Sequence, residues 1–272
     1  MQRFSPRFFG LLVVGVLAAA AARAQAPLRA VPVPAAPSDE QSYSKELVFG
    51  INFNNQGGLL GGVSVRSTRV LDDRLLRFWS IEGVMLKNAK EIRRTTIVGG
   101  TYIDRKTNYA FVLRPSVGLQ RILFRKAADA GVQVNGLLSV GPSLGLLMPY
   151  YISYDRSTAN RPQNVNLSTD DIVNEQFDPY KHMDSRSILD HGPLFSGIGE
   201  TQIVPGFHLR GGLSFEYGRY RDAVTGLEAG FLVEGFTKRM VILSPGVLTD
   251  TDGLNRKFFP SVYLTLYFGH RS

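Results

Sequence analysis

The sequence has no cysteine, and past its first two dozen residues it has no long uninterrupted apolar run. The first absence excludes a disulfide scaffold, a thiolate metal site and a cysteine nucleophile together, so the fold must hold without covalent staples. The second excludes a helix of the roughly 20 apolar residues that a bilayer crossing requires. What remains is a chain that is either soluble or embedded through strands, since a closed set of strands also satisfies its own backbone in lipid. A basic helix and a platform of stacking aromatics are missing too, which removes nucleic acid from the partners.

What is present begins with Arg3 and Arg7, which precede an apolar run from Phe8 to Ala22, and with Ala22-Arg23-Ala24, small residues where a signal peptidase reads. This is the pattern of a secretory signal peptide over residues 1–24, its apolar part too short for a membrane anchor. Residues 25–44, with Val31-Pro32-Val33-Pro34-Ala35-Ala36-Pro37, read as an extended Pro/Ala-rich tether. A single all-β domain is expected over residues 45–270. The formal net charge of +8 suits contact with anionic lipid headgroups, lipopolysaccharide or other surface polyanions.

From Leu47 the dominant signal has period two. Leu47, Phe49, Ile51 and Phe53 alternate with Val48, Gly50, Asn52 and Asn54, and the same alternation runs over Tyr109 to Gln120, Val132 to Gly141, Phe207 to Gly218, Gly226 to Glu234 and Ser261 to Gly269. Less regular strands near Leu59 to Val70 and Arg74 to Lys87 complete a set of eight. The second, fourth and sixth connections are short, whereas the third (Asn88 to Lys106), fifth (Asp155 to Val204) and seventh (Ser244 to Arg256) are long, and only the first, around Gln56 to Gly58, breaks the contrast. Short turns at one end and long loops at the other match the layout of outer-membrane barrels. Ten strands follow instead if Lys90 to Tyr102 is a further strand with a partner in the fifth connection.

A soluble barrel of the lipocalin kind would show water a face rich in Lys, Glu, Gln and Thr. The less apolar face here is Gly, Ser, Asn and isolated Arg or Glu, which suits the cramped interior of eight strands and turns the apolar face to lipid. Trp79, Tyr109, Tyr150, Tyr151, Phe207, Tyr217, Tyr220, Phe236, Phe258 and Phe268 lie near strand ends, where rings favour the membrane interfaces.

These strands, with the C-terminal Val262-Tyr263-Leu264-Thr265-Leu266-Tyr267-Phe268-Gly269, resemble the small bacterial outer-membrane β-barrel superfamily, including OmpA-like and PorT-like barrels. The resemblance implies insertion by the barrel assembly machinery, although Gly269-His270-Arg271-Ser272 follow where other barrels stop on Phe. Lys87-Asn88-Ala89-Lys90-Glu91-Ile92-Arg93 and Phe177-Asp178-Pro179-Tyr180-Lys181-His182 resemble uncharacterised barrels of Bacteroidota-type bacteria, some accessory to outer-membrane assembly.

Candidate chemistry is sparse. Arg66, Arg114 and Arg210 are expected to share the lumen with Glu82, Glu216, Glu228 and Glu234 as a paired charge network, because charges held from water must pair. The fifth connection gathers Asp170-Asp171, Asp178, His182, Asp184 and Asp190-His191, and of these Asp178, His182, Asp184 and His191 are the candidate ligands for a divalent metal, the one cofactor considered, though the spacing matches no motif. A Ser214–His208 dyad is excluded, since six strand residues span ~20 Å at ~3.3 Å each. The expectation is therefore a non-enzymatic outer-membrane protein acting through its long loops as a structural or interaction subunit, with outer-membrane lipid and other outer-membrane proteins as partners. A small channel and a lipid-modifying enzyme are the alternatives.

Overall fold

The computed structural model describes residues 43–56, 58–125, 131–157, 171–182, 184–217, 223–244 and 253–272, side chains of 58–60 excepted. The expected signal peptide and nearly all of the expected tether, like Asp170 and Tyr220, lie outside these residues. In chain order the strands are β1 (Lys45–Asn54), β2 (Gly58–Asp72), β3 (Leu75–Leu86), β4 (Arg93–Thr95), β5 (Thr101–Ile103), β6 (Asn108–Phe124), β7 (Val132–Pro149), β8 (Tyr151–Asp155), β9 (Ile172–Gln176), β10 (Ile188–His191), β11 (Gln202–Tyr217), β12 (Ala223–Phe236) and β13 (Phe258–Arg271).

Eight of them close an antiparallel barrel in the order β1-β13-β12-β11-β7-β6-β3-β2. The alternation of the sequence becomes the two faces of this wall. Phe49, Ile51, Trp79, Ile81, Leu113, Leu138, Phe207, Leu209, Phe231, Val262, Leu264 and Phe268 point out and are exposed. Glu82, Arg114, Asn135, Ser139, His208, Ser214, Glu228 and Glu234 point in and are buried. A soluble barrel shows the opposite polarity, so this is a transmembrane barrel of the outer-membrane type, its apolar face turned to lipid.

Glycine sets how tightly the wall can fold over its contents. Gly212 and Gly230 are register partners on β11 and β12, and a Cβ on Gly230 would stand 2.2 Å from the Gly211 carbonyl oxygen and 2.8 Å from the Tyr263 hydroxyl. Only bare backbone lets the Tyr263 ring lie across this stretch of wall.

The ten-strand count does not hold. β4 and β5 pair with each other alone, and the chain between β7 and β11, which begins a few residues before the expected fifth connection, contributes β8, β9 and β10, a separate sheet in the order β10-β8-β9. These short strands stand at the long-loop end as a head with its own core of Tyr102, Tyr150, Ile152, Phe177 and Ile188. The described part of the fifth connection is thus ordered. Two rings assigned to the interface belong elsewhere: Tyr150 is in the head core, and Phe236 is buried in the barrel mouth.

Candidate functional site: a filled lumen under a loop-built head

Inward side chains of the eight strands fill the lumen in three layers. At the long-loop end Val84, Leu86, Val112, Leu147, Phe236 and Phe259 form an apolar ring, and Met240, Ile242 and Leu243, between β12 and β13, drop into it as a plug. One side chain pins that plug: Asn255 Oδ1 accepts from the Ile242 and Leu243 amides at 3.0 and 3.2 Å, and its Nδ2 donates to the Leu243 carbonyl at 2.7 Å.

The middle layer is ionic. Arg114 grips Glu234 through Nε and Nη2, both at 2.8 Å, and reaches Glu82 at 3.2 Å. Arg210 bridges Glu82 at 3.2 Å and Glu228 at 2.8 Å, while Arg66 meets Glu228 from the other side at 2.7 Å. Tyr263 Oη donates to Glu228 at 2.8 Å beneath the Arg210 guanidinium, which lies 3.8 Å from its ring. Three arginines face three glutamates, so the set is neutral, the condition under which buried charge is tolerated. The cavity left among these groups measures 30 Å³, room for about two waters.

Glu216 faces inward but joins a different group nearer the short-turn end. Arg271 holds it through Nη1 and Nη2 and reaches Glu46 at 2.9 Å, with the Tyr43 ring 4.3 Å from the guanidinium. Tyr43 precedes β1, and burial pushes its phenol up to about 12. Arg271 lies in the tail beyond Phe268, outside any strand read from the alternation.

A polar chain crosses the middle layer. Ser116 Oγ is 2.8 Å from His208 Nε2, His208 Nδ1 is 3.0 Å from Ser143 Oγ, and Ser143 donates to Glu234 Oε1 at 2.6 Å. Sequence reasoning paired His208 with nothing. Ser116 and Ser143 stand on β6 and β7, and the register of these two strands with their neighbour β11, where His208 lies opposite Gly141, brings both serines to the histidine.

The four candidate metal ligands do not converge, and no group of three His, Asp or Glu able to hold an ion occurs among the described residues. His182 Nδ1 accepts from the Asp178 amide at 2.9 Å, and Nε2 faces Glu175 at 3.2 Å. Asp184 accepts from the Arg186 amide and side chain, which hold its carboxyl below the usual range. His191 pairs with its neighbour Asp190 at 2.8 Å.

Contacts tie the head to the barrel rim. Tyr150 N donates to the Thr107 carbonyl at 2.8 Å and Thr107 N to the Ile242 carbonyl of the plug at 3.0 Å, while inside the head Thr96 Oγ1 donates to the Leu189 carbonyl at 2.7 Å and Tyr150 Oη accepts from the Ile103 amide at 3.0 Å. Lys106, nearly enclosed at the head's base, pairs with Glu91 at 3.0 Å. Burial pushes its ammonium below the usual lysine value, and Glu91 offsets part of that.

No protein-family model and no curated protein matches the sequence. Solved structures similar to the chain include Ail, the attachment invasion locus protein of Yersinia pestis, determined alone and in complex with the heparin analogue sucrose octasulfate. Ail is 9% identical with a TM-score of 0.35, over 84% of this chain and 97% of Ail. Neisserial surface protein A (NspA) is another, 8% identical over 85% of this chain and 97% of that one, with a TM-score of 0.35.

Proposed function

We propose that this protein is a non-enzymatic outer-membrane subunit that works through its head, binding another outer-membrane or surface protein. The observation that carries the reading is the contrast between the two ends of the wall's contents. The lumen is occupied by paired charge and an apolar plug, which disfavours a channel, whereas the connections above it are spent on an ordered head. That head leaves large apolar side chains in water: Ile97 is 77% exposed at the β4–β5 turn, and Leu194, Phe195 and Ile198 are 60%, 58% and 66% exposed in the segment after β10. Phe195 takes a φ of 69°, a left-handed conformation that a non-glycine residue holds at a cost. Exposed apolar residues on a rigid support mark contact sites for partners. An accessory role in outer-membrane assembly falls within this reading, as does surface adhesion.

The test is purification of the tagged protein from outer membranes in mild detergent, with mass spectrometry of what co-elutes. A defined set of proteins in fixed proportion is expected, and replacing Ile97, Phe195 and Ile198 by Ser should release it while the barrel stays folded. Elution of the wild-type protein alone would remove the subunit reading.

A further inference from the structure

Outward positions on β3 climb the lipid-facing wall through Trp79, Ile81, Gly83 and Met85, and the next outward position is Lys87. On the adjacent β6 the outward ladder is Leu113, Phe111 and Tyr109. Where both ladders end, a cleft of 500 Å³ opens between the wall and the head, lined from below by Met85 and Tyr109 and from above by the β4–β5 hairpin and Leu194.

Its lining divides by chemistry. Met85, Tyr109 and Leu194 continue the apolar wall, whereas Lys87, Arg93 and Lys106 bring three cations against a single carboxylate, Glu91. Glu91 is already engaged by Lys106 Nζ at 3.0 Å and by the Asn88 amide at 3.2 Å. Lys87 and Arg93 are exposed and have no acidic partner among the described residues, and both stand close enough to disfavour the charge on Lys106. Three converging cations repel one another in a half-enclosed space, and an anion placed between them relieves that cost. Phosphate suits them, since Arg and Lys make charge-assisted hydrogen bonds to its oxygens. The height of the cleft, where the apolar wall gives way to charge, is the height of headgroups.

We propose that this cleft seats the phosphorylated headgroup of an outer-leaflet glycolipid, Lys87 and Arg93 meeting the phosphate and Met85 and Tyr109 lying against the first carbons of its acyl chains. The assignment rests on the barrel standing in an outer membrane and not on the head's protein partner. A soluble phosphate would use the cations and leave the apolar half unmatched; a glycolipid matches both.

The experiment titrates the detergent-purified, delipidated protein with diphosphoryl lipid A, its dephosphorylated form and inorganic phosphate, and counts bound molecules by native mass spectrometry. One diphosphoryl lipid A per chain is expected, bound about tenfold more tightly than the dephosphorylated lipid, weakened by salt, and about tenfold weaker in Lys87→Ala/Arg93→Ala. Lys181→Ala/Arg186→Ala, elsewhere on the head, should bind as wild type. Retention of the folded gel mobility by each variant separates loss of the site from loss of the barrel. Equal binding of the two lipids, or no effect of the double substitution in a folded barrel, overturns the proposal. Binding of inorganic phosphate as tight as that of the lipid assigns the cations to a soluble ligand and overturns the lipid.

Discussion

Ser116 and His208 meet at 2.8 Å over the one strand, β7, that stands between β6 and β11 in the wall, although 92 residues separate them in sequence. The proton order of this contact follows from the next two bonds. Ser143 gives its hydrogen to the Glu234 carboxylate and must therefore accept from His208 Nδ1, which leaves Nε2 to accept from Ser116. That is the alignment of a serine activated by a base, but the adjoining cavity of 30 Å³ admits water and nothing larger. A fluorophosphonate probe should leave Ser116 unlabelled in the folded protein, and nitrogen NMR of His208 should report the Nδ1–H tautomer. Stoichiometric labelling of Ser116 would reopen the enzyme alternative.

Asn255 holds the plug through three hydrogen bonds, so Asn255→Ala strands buried backbone groups of Ile242 and Leu243. The loss of stability should be about 1–3 kcal/mol, the range for unsatisfied buried groups, read as a lower urea midpoint in lipid vesicles. Neither wild type nor this variant should conduct in a planar bilayer, because the ionic layer below the plug remains. Discrete conductance steps from the wild-type protein would contradict the filled-lumen description.

Arg114 is the pivot of that ionic layer, touching both Glu234 and Glu82. Arg114→Ala leaves two carboxylates without their shared cation, and breaking a buried pair in this way costs about 3–5 kcal/mol. Arg114→Lys should also destabilise, by less, because one ammonium cannot reproduce the two-point grip on Glu234. An unchanged urea midpoint for Arg114→Ala would mean that the layer adds nothing to stability.

The head should weaken only in acid. The hydrogen bond from Arg156 comes first among the causes that hold the Glu175 carboxyl below its ordinary 4.5, with His182 adding to it against the opposing effect of burial. A depressed folded-state pKa makes a contribution that is complete above the unfolded value and is lost as pH falls through the folded one. Limited proteolysis of the head should therefore be flat from neutral pH down to about 5 and accelerate below 4.5. Glu175→Gln should flatten the curve. Because Arg156 is exposed, the change should be small. Acceleration already near pH 6 would point to another group.

Much of the wall is legible in the sequence, because a strand half in lipid and half in a packed lumen must alternate, and Phe49, Val117 and Leu264 mark the period directly. Where one face stops being lipid the signal fades: Leu146-Leu147-Met148 at the end of β7 is apolar on both sides, because it passes under the head, and the alternation reads only to Gly141. The head strands are three to five residues long, too short to express a period. Met240, Ile242 and Leu243 give no strand or helix pattern, since they are buried by descending into a mouth whose shape other strands make. Register hides the rest. Ser116, Ser143 and His208 are each visible as inward polar residues, but only the order and register of the neighbouring strands β6, β7 and β11 make them touch.

The barrel closes along a seam where β1 lies beside β13, with the Ser44 amide on the Ser272 carbonyl at 3.1 Å and Glu46 opposite Arg271. Contacts with a separation of 228 residues are the kind whose loop-closure cost slows folding most. Until that last pairing forms, β1 and β13 are open edges with an apolar face, competent to pair with any other strand they meet. The nascent wall is therefore exposed to aggregation for as long as its two ends have not found each other.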